Sequence, residues 1–259
     1  MTGQGRRVLV TGSTAGLGRG AARSLVDNGH EVVLHARSAE RAADVEVLAS
    51  RALGVVVGDL ADASEVRSIA DQANAYGDFD AVIHNAGIYV DRDRFATEDG
   101  HARVLAVNVL APYMLTALIE RPARLIYLSS GMHHDGDSSL RDIEWTTRRW
   151  DGVQAYCDSK LFVTALAAAT ARRWRDVLSN AVDPGWVPTR MGGPGASDDL
   201  VQGHVTQVWL AVSDDPEAHV TGRYWYHQQI QTPARAVNDL AFQDALLDEL
   251  SRLTGVVLS

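Results

Sequence analysis

Between a short β-branched run at residues 7–11 and an alanine-rich helical pattern at 17–28, the chain reads TGSTAGLG from Thr11 to Gly18. A strand that turns through glycines straight into a helix is the entry to a β-α-β unit, and this constrains the fold more than any other feature. Gly12, Gly16 and Gly18 let the backbone turn tightly and approach a ligand, with Ser13 and Thr14 between them. The helix beginning at Leu17 offers unpaired amide donors and a favourable dipole to an anion. Glycines alone would serve an ordinary turn equally well. Placement between strand and helix is what points to a dinucleotide.

The alternation continues. Residues 31–35, 54–57, 81–84, 124–128 and 178–182 read as strands, and 39–52, 63–75, 97–118 and 153–174 as helices between them. Repeated β-α units predict a doubly wound α/β fold, a parallel sheet with helices on both faces. No repeat or linker divides residues 1–259, so one domain is expected, with irregular loops near 131–152 and 184–199. Both loops leave carboxyl ends of strands, where ligands gather in open α/β sheets.

The net charge of -9 and the absence of a Lys/Arg-rich run argue against nucleic-acid or anionic-lipid partners, leaving small molecules. Charged residues interrupt every apolar stretch before the roughly 20 residues a spanning helix needs. The single cysteine, Cys157, cannot form an internal disulfide, and the amino end carries no secretory pattern, which fits a reducing cytoplasm.

At the end of the second strand, where an acid would meet an adenosine ribose hydroxyl, the chain has Ala36, Arg37 and Ser38. A guanidinium there pairs with a 2′-phosphate, so NADP(H) is favoured over NAD(H), though NAD(H) is not excluded. Asp59 and Leu60 end the third strand and face the expected adenine, with capping of the next helix as the rival role for Asp59. Asn85, Ala86 and Gly87 end the fourth, where small residues admit a cofactor and Asn85 is otherwise a turn former.

Tyr156 and Lys160, at i and i+4, share one helix face. A phenol with pKa about 10 is a poor acid at neutral pH, and an adjacent ammonium brings it toward usefulness. TGSTAGLG, HNAG at 84–87, Asn108 in VNVLAPY, Ser129 and Ser130, YCDSK at 156–160 and DPGWVPT at 183–189 occur in one order across nearly the whole chain. Together they resemble the short-chain dehydrogenase/reductase family, which implies a Rossmann-type fold and hydride exchange between a nicotinamide and a carbonyl or alcohol. By that resemblance Tyr156 gives the proton to the carbonyl oxygen, Ser130 bonds that oxygen, Lys160 holds the nicotinamide ribose, and Asn108 positions a water leading to Lys160. Pro184, Gly185 and Val187 would then adjoin the nicotinamide, and Thr189 its carboxamide.

The interval from Ser130 to Tyr156 is wider than in compact members, and its GMHHDGDSSLRDIEW stretch is expected to wall the substrate pocket. With AYCDSKL and TGRYWYHQ, it resembles the retinol-dehydrogenase-like branch. Met132, His133 and Trp186 are candidate substrate contacts, and Tyr89, Trp145, Trp150 and Met191 lie near the same cleft, suiting a bulky apolar ketone, aldehyde or secondary alcohol. His133 and His134 lack convincing partners for a metal, and none is expected. Two rivals remain: a non-catalytic NADP(H)-binding redox sensor, and a nucleotide-sugar epimerase or dehydratase, which the short carboxyl-terminal part disfavours. Homo-oligomerisation is left open.

Overall fold

The computed structural model describes residues 5–89 and 92–259. Its strands are β1 (Arg7–Val10), β2 (Glu31–Ala36), β3 (Gly54–Val57), β4 (Ala81–His84), β5 (Arg124–Leu128), β6 (Leu178–Asp183), β7 (Tyr224–Tyr226) and β8 (Gln229–Gln231). They form one sheet in the order β3-β2-β1-β4-β5-β6-β7-β8, parallel except for the antiparallel β7–β8 hairpin. The order reverses between β1 and β4, and a ligand crevice opens at such a reversal beyond the strands' carboxyl ends.

The pleat sends alternate residues to opposite cores. In β1, Leu9 joins a core under α4 (Ala63–Asn74), α6 (Ala111–Leu118), α7 (Gly152–Arg173) and α9 (Leu240–Thr254), whereas Val8 and Val10 join the core under α1 (Gly16–Asp27) and α8 (Gln202–Val212). The two faces are thus both covered, as the near-continuous apolar strands require.

Two expected helices are reshaped. The span 39–52 divides into α2 (Ala39–Ala43) and α3 (Glu46–Ala49), with Val45 turning inward to the α1-side core. The span 97–118 begins only at α5 (Arg103–Leu105), because Gly100 at φ +87 closes a turn that Ala96 and Ala102 bridge. A π-helical turn, Ala106–Leu110, then precedes α6. In an α-helix the carbonyl of Asn108 would bond the amide of residue 112, which is a proline with no N–H, and the wider turn accommodates that loss.

The long stretch before Tyr156 does not only wall a pocket. Beyond Asp135 it lies against α7: Gly136 abuts Leu161 and the Cys157 carbonyl, and Ile143 and Trp145 are buried in the core. Arg148 ties it down, pairing at 2.8 Å with Asp158, which is 1% exposed, and stacking on Trp145. This departs from the expected pocket wall, because Cys157, Asp158 and Leu161 form a second side of α7 that also needed covering. Trp145 and Trp150 pack edge to face there. Among the described residues no helix is long and apolar enough to cross a membrane.

Candidate active site

α7 begins on Asp151, whose carboxylate accepts from the amides of Val153 and Gln154, and it carries Tyr156 and Lys160 on its buried side. The phenol is 6% exposed and lies on the side of the Ser130 hydroxyl, which follows β5. Burial raises the Tyr156 pKa above its ordinary value, and the nearby Ser130 hydroxyl opposes that shift. The Lys160 nitrogen lies 5.5 Å from the centre of the Tyr156 ring and donates to the Leu128 carbonyl at 2.8 Å. Burial lowers its pKa to about 8, with Asp183 pulling the other way.

Asn108 is engaged on both sides of its amide. Its Oδ1 accepts from Ile88 N–H at 2.8 Å, and its Nδ2 donates to the Ile88 carbonyl and to Ser159 Oγ, both at 3.0 Å. Both Nδ2 protons are therefore taken, and a water would have to be held elsewhere than on that nitrogen. The amide instead locks the segment after β4 to α7. A Cβ on Gly87 would lie 3.4 Å from Asn108 Oδ1 and 3.5 Å from Lys160 Nζ, so the backbone passes directly over this pair.

The glycine turn faces the loop after β6. A Cβ on Gly16 would meet Thr189 at 3.4 Å, while one on Gly12 would meet Ala86 at 3.0 Å. Leu17 and Val187 both approach Gly203 of α8. Gly18 lies against Asn85, whose Nδ2 donates to the Thr11 carbonyl at 3.0 Å. The residues fit a dinucleotide in one further respect. Helices α4, α7 and α9 are each capped by an aspartate, but α1 has no side-chain cap and no acid in its first turn. Its amides are left for an anion.

Other candidates are placed differently. Ser13 is fully buried; its Oγ accepts from the His35 amide at 2.8 Å, so its hydroxyl braces the turn from behind. Arg37 is exposed and makes no hydrogen bond or ion pair among the described residues, whereas Ser38 caps α2 by accepting from Arg41 N–H. Asp62, not Asp59, caps α4; Asp59 accepts from Ala61 N–H at 2.9 Å in a local turn. Leu60 is buried in the core.

On the substrate side, Met132 N–H donates to Ser130 Oγ at 3.3 Å. His133 is 0% exposed and fully bonded, with Nδ1 2.8 Å from the Ser130 carbonyl and Nε2 accepting from Ala234 N–H at 3.0 Å. That corrects its expected role, since a buried ring with both nitrogens engaged has none to offer a substrate. Trp186 is 56% exposed, pinned by its indole N–H to the Gly192 carbonyl at 2.9 Å and by its amide to Asp198. Tyr89 meets the Tyr156 ring edge-on at 4.7 Å, and Met191 is exposed on the loop after β6. Pro184 and Gly185 follow Asp183, whose carboxylate accepts from Gly185 N–H at 2.9 Å and from the Tyr224 hydroxyl at 3.0 Å. Among the described residues no group of three metal-ligating side chains comes together.

Sequence reasoning passed over Ser159, Asp183, Tyr224 and His35. Ser159 and Asp183 stood inside the recognised segments YCDSK and DPGWVPT; His35 was signalled by being the one polar side chain in the otherwise apolar interior of EVVLHA.

The family model described as "Enoyl-(Acyl carrier protein) reductase" matches residues 12–217. The short-chain dehydrogenase chry4 of Gibberella zeae is 41% identical over 256 residues, covering 97% of this chain and 98% of that one. Human retinol dehydrogenase 13 is 29% identical over 286 residues, covering 97% of this chain and 85% of its own. A blue fluorescent protein from a metagenomic library, crystallised with NADPH, superposes with a TM-score of 0.71 at 22% identity, covering 87% of this chain and 97% of that one.

Proposed function

The chain belongs to the short-chain dehydrogenase/reductase family of oxidoreductases, and from that premise we propose that it exchanges hydride between NADP(H) and a ketone, aldehyde or secondary alcohol. The observation that carries the proposal is the placement of the Tyr156 phenol, buried 5.5 Å from the Lys160 nitrogen, with the backbone crossing at Gly87 close over Lys160 and the Ser130 hydroxyl on the same side. Two converging hydroxyls hold one oxygen atom, which favours a carbonyl over a carbon–carbon double bond.

When bound, the nicotinamide supplies or accepts the hydride. The chain's own residues manage the proton and the geometry. In reduction Tyr156 donates its proton to the carbonyl oxygen while Ser130 fixes that oxygen; in oxidation the same phenol receives it. Lys160, buried and charged, stabilises the phenolate left behind and offers its remaining donors to the ribose. Gly12, Thr14, Gly16, Leu17 and Gly18 accommodate the pyrophosphate, Asp59 and Leu60 with Asn85, Ala86 and Gly87 the adenosine side, and Pro184, Gly185, Val187 and Thr189 the nicotinamide.

Arg37 supports NADP(H), because its free guanidinium follows a strand end without a carboxylate. Tyr89, Trp186 and Met191, exposed around the cleft, support a bulky apolar substrate. The lone buried cysteine supports a cytoplasmic setting. Oxidation of NADPH across a panel of ketones, quinones and aldehydes tests the reading. Turnover of a bulky carbonyl supports it, and failure with every member despite tight coenzyme binding contradicts it.

A further inference from the structure

His35 stands next to last in β2 and is 3% exposed. Its Nδ1 accepts from Gly12 N–H at 2.9 Å, and its Nε2 lies 2.9 Å from the Gly58 carbonyl oxygen. One protonation state satisfies both contacts. A lone pair at Nδ1 places the proton on Nε2, so the ring is neutral and Nε2–H donates to Gly58. The backbone doubles the link: the His35 amide donates to Ser13 Oγ at 2.8 Å, and the Ser13 amide donates to the His35 carbonyl at 3.2 Å. One side chain thus ties the first glycine of the turn after β1 to the residue before Asp59 at the end of β3.

We propose that His35 is a positioning residue for the coenzyme, fixing the pyrophosphate-facing turn relative to the adenosine-facing end of β3. The proposal rests on the glycine turn being the coenzyme site. Gly12, at φ +64, faces Ala86 with no room for a Cβ between them, and the imidazole holds its amide from the other side. Gly12 N–H is consequently closed to phosphate, and the amides beyond it carry that contact.

The link also makes stability respond to acid. Burial holds the imidazole below its ordinary pKa, against the Gly58 carbonyl and Asp59. Asp59 is the charged group acting from the β3 side; the β1 side presents only Gly12 and Ser13, and Arg37, further along β2, points to solvent. An imidazolium would set an Nδ1–H against the Gly12 N–H. Because the folded pKa is lowered, the ring stays neutral and the link intact in the folded chain through the ordinary histidine range. What falls with pH there is folding stability, as the unfolded imidazole takes up a proton.

Fluorescence titration of NADPH onto wild type, His35→Asn and His35→Leu, at pH 8 and pH 5.5, tests this, alongside unfolding midpoints without coenzyme. Asparagine Oδ1 reaches the place of Nδ1, so the affinity of the His35→Asn variant is expected within about threefold of wild type, while the leucine variant weakens by about tenfold through the orphaned Gly12 amide. The unfolding midpoint of wild type should fall more between pH 8 and pH 5.5 than that of His35→Asn; the 2′-phosphate, titrating at about pH 6, shifts the affinities of all three proteins alike. A purely structural role would lower both variants' midpoints without separating their affinities. Binding by the leucine variant as tight as wild type, or an asparagine variant weakened as much as the leucine one, overturns the proposal. If the leucine variant does not fold, unfolding midpoints of wild type and His35→Asn that fall equally between pH 8 and pH 5.5 overturn it. A wild type that binds neither NADPH nor NADH overturns the proposed function, and this inference with it.

Discussion

The Lys160 ammonium lies 5.5 Å from the centre of the Tyr156 ring, one helical turn along α7, and bonds the Leu128 carbonyl instead of the phenol. A buried cation held for chemistry costs stability. Its pKa falls from 10.5 to about 8, so the unfolded chain binds the extra proton between those values and stability rises with pH across that window. Below it the cost is fully present. Lys160→Met should therefore abolish turnover yet stabilise the protein by about 2 kcal/mol at pH 7, after allowance for the orphaned Leu128 carbonyl. Urea unfolding at pH 7 and pH 9.5 checks this, and the advantage should shrink at the higher pH.

The proposed preference for NADP(H) rests on Arg37, exposed just beyond the end of β2. Arg37→Asp replaces a charge-assisted pair with repulsion, so the Michaelis constant for NADPH should rise about 100-fold while that for NADH changes less than about threefold. Steady-state kinetics with both coenzymes decide it, and equal effects sink the 2′-phosphate assignment.

His133 braces the Ser130 carbonyl and the Ala234 amide. His133→Phe leaves the Ser130 carbonyl and the Ala234 amide unpaired, for a loss of about 3 kcal/mol in urea unfolding. Turnover should fall more than the Michaelis constant for a carbonyl substrate rises. A rise in that constant alone would return His133 to the substrate wall.

Much of the fold is legible in the chain, and the gaps have physical causes. β3, β4 and β5 match their expected bounds because short apolar runs flanked by polar turns admit one reading in an alternating chain. The Tyr156–Lys160 face follows from helix geometry alone. The β7–β8 hairpin is not legible, since its turn places His227 and Gln228 at positive φ without glycine or asparagine. The burial of α7's second flank by the stretch before it is a tertiary fact, which helical periodicity does not reveal when residues on every side of the helix are covered. Nor does spacing show that Asn108 and Ser13 bond their own chain.

Arg148 and Asp158 hold that covering stretch. Asp158→Ala and Arg148→Ala should each destabilise by about 3 kcal/mol, and the double variant by clearly less than the sum. A thermodynamic cycle from urea unfolding measures the coupling; limited proteolysis within 138–149 should accelerate in either single variant.

Tyr156 is the proposed carrier of the proton. Tyr156→Phe removes only the hydroxyl, leaving the ring against Tyr89 and the glycine turn untouched. NADPH affinity, measured by fluorescence, should stay within about twofold of wild type, while turnover of a carbonyl found active in the panel should fall by about 1,000-fold or more. Full turnover in Tyr156→Phe would contradict the account.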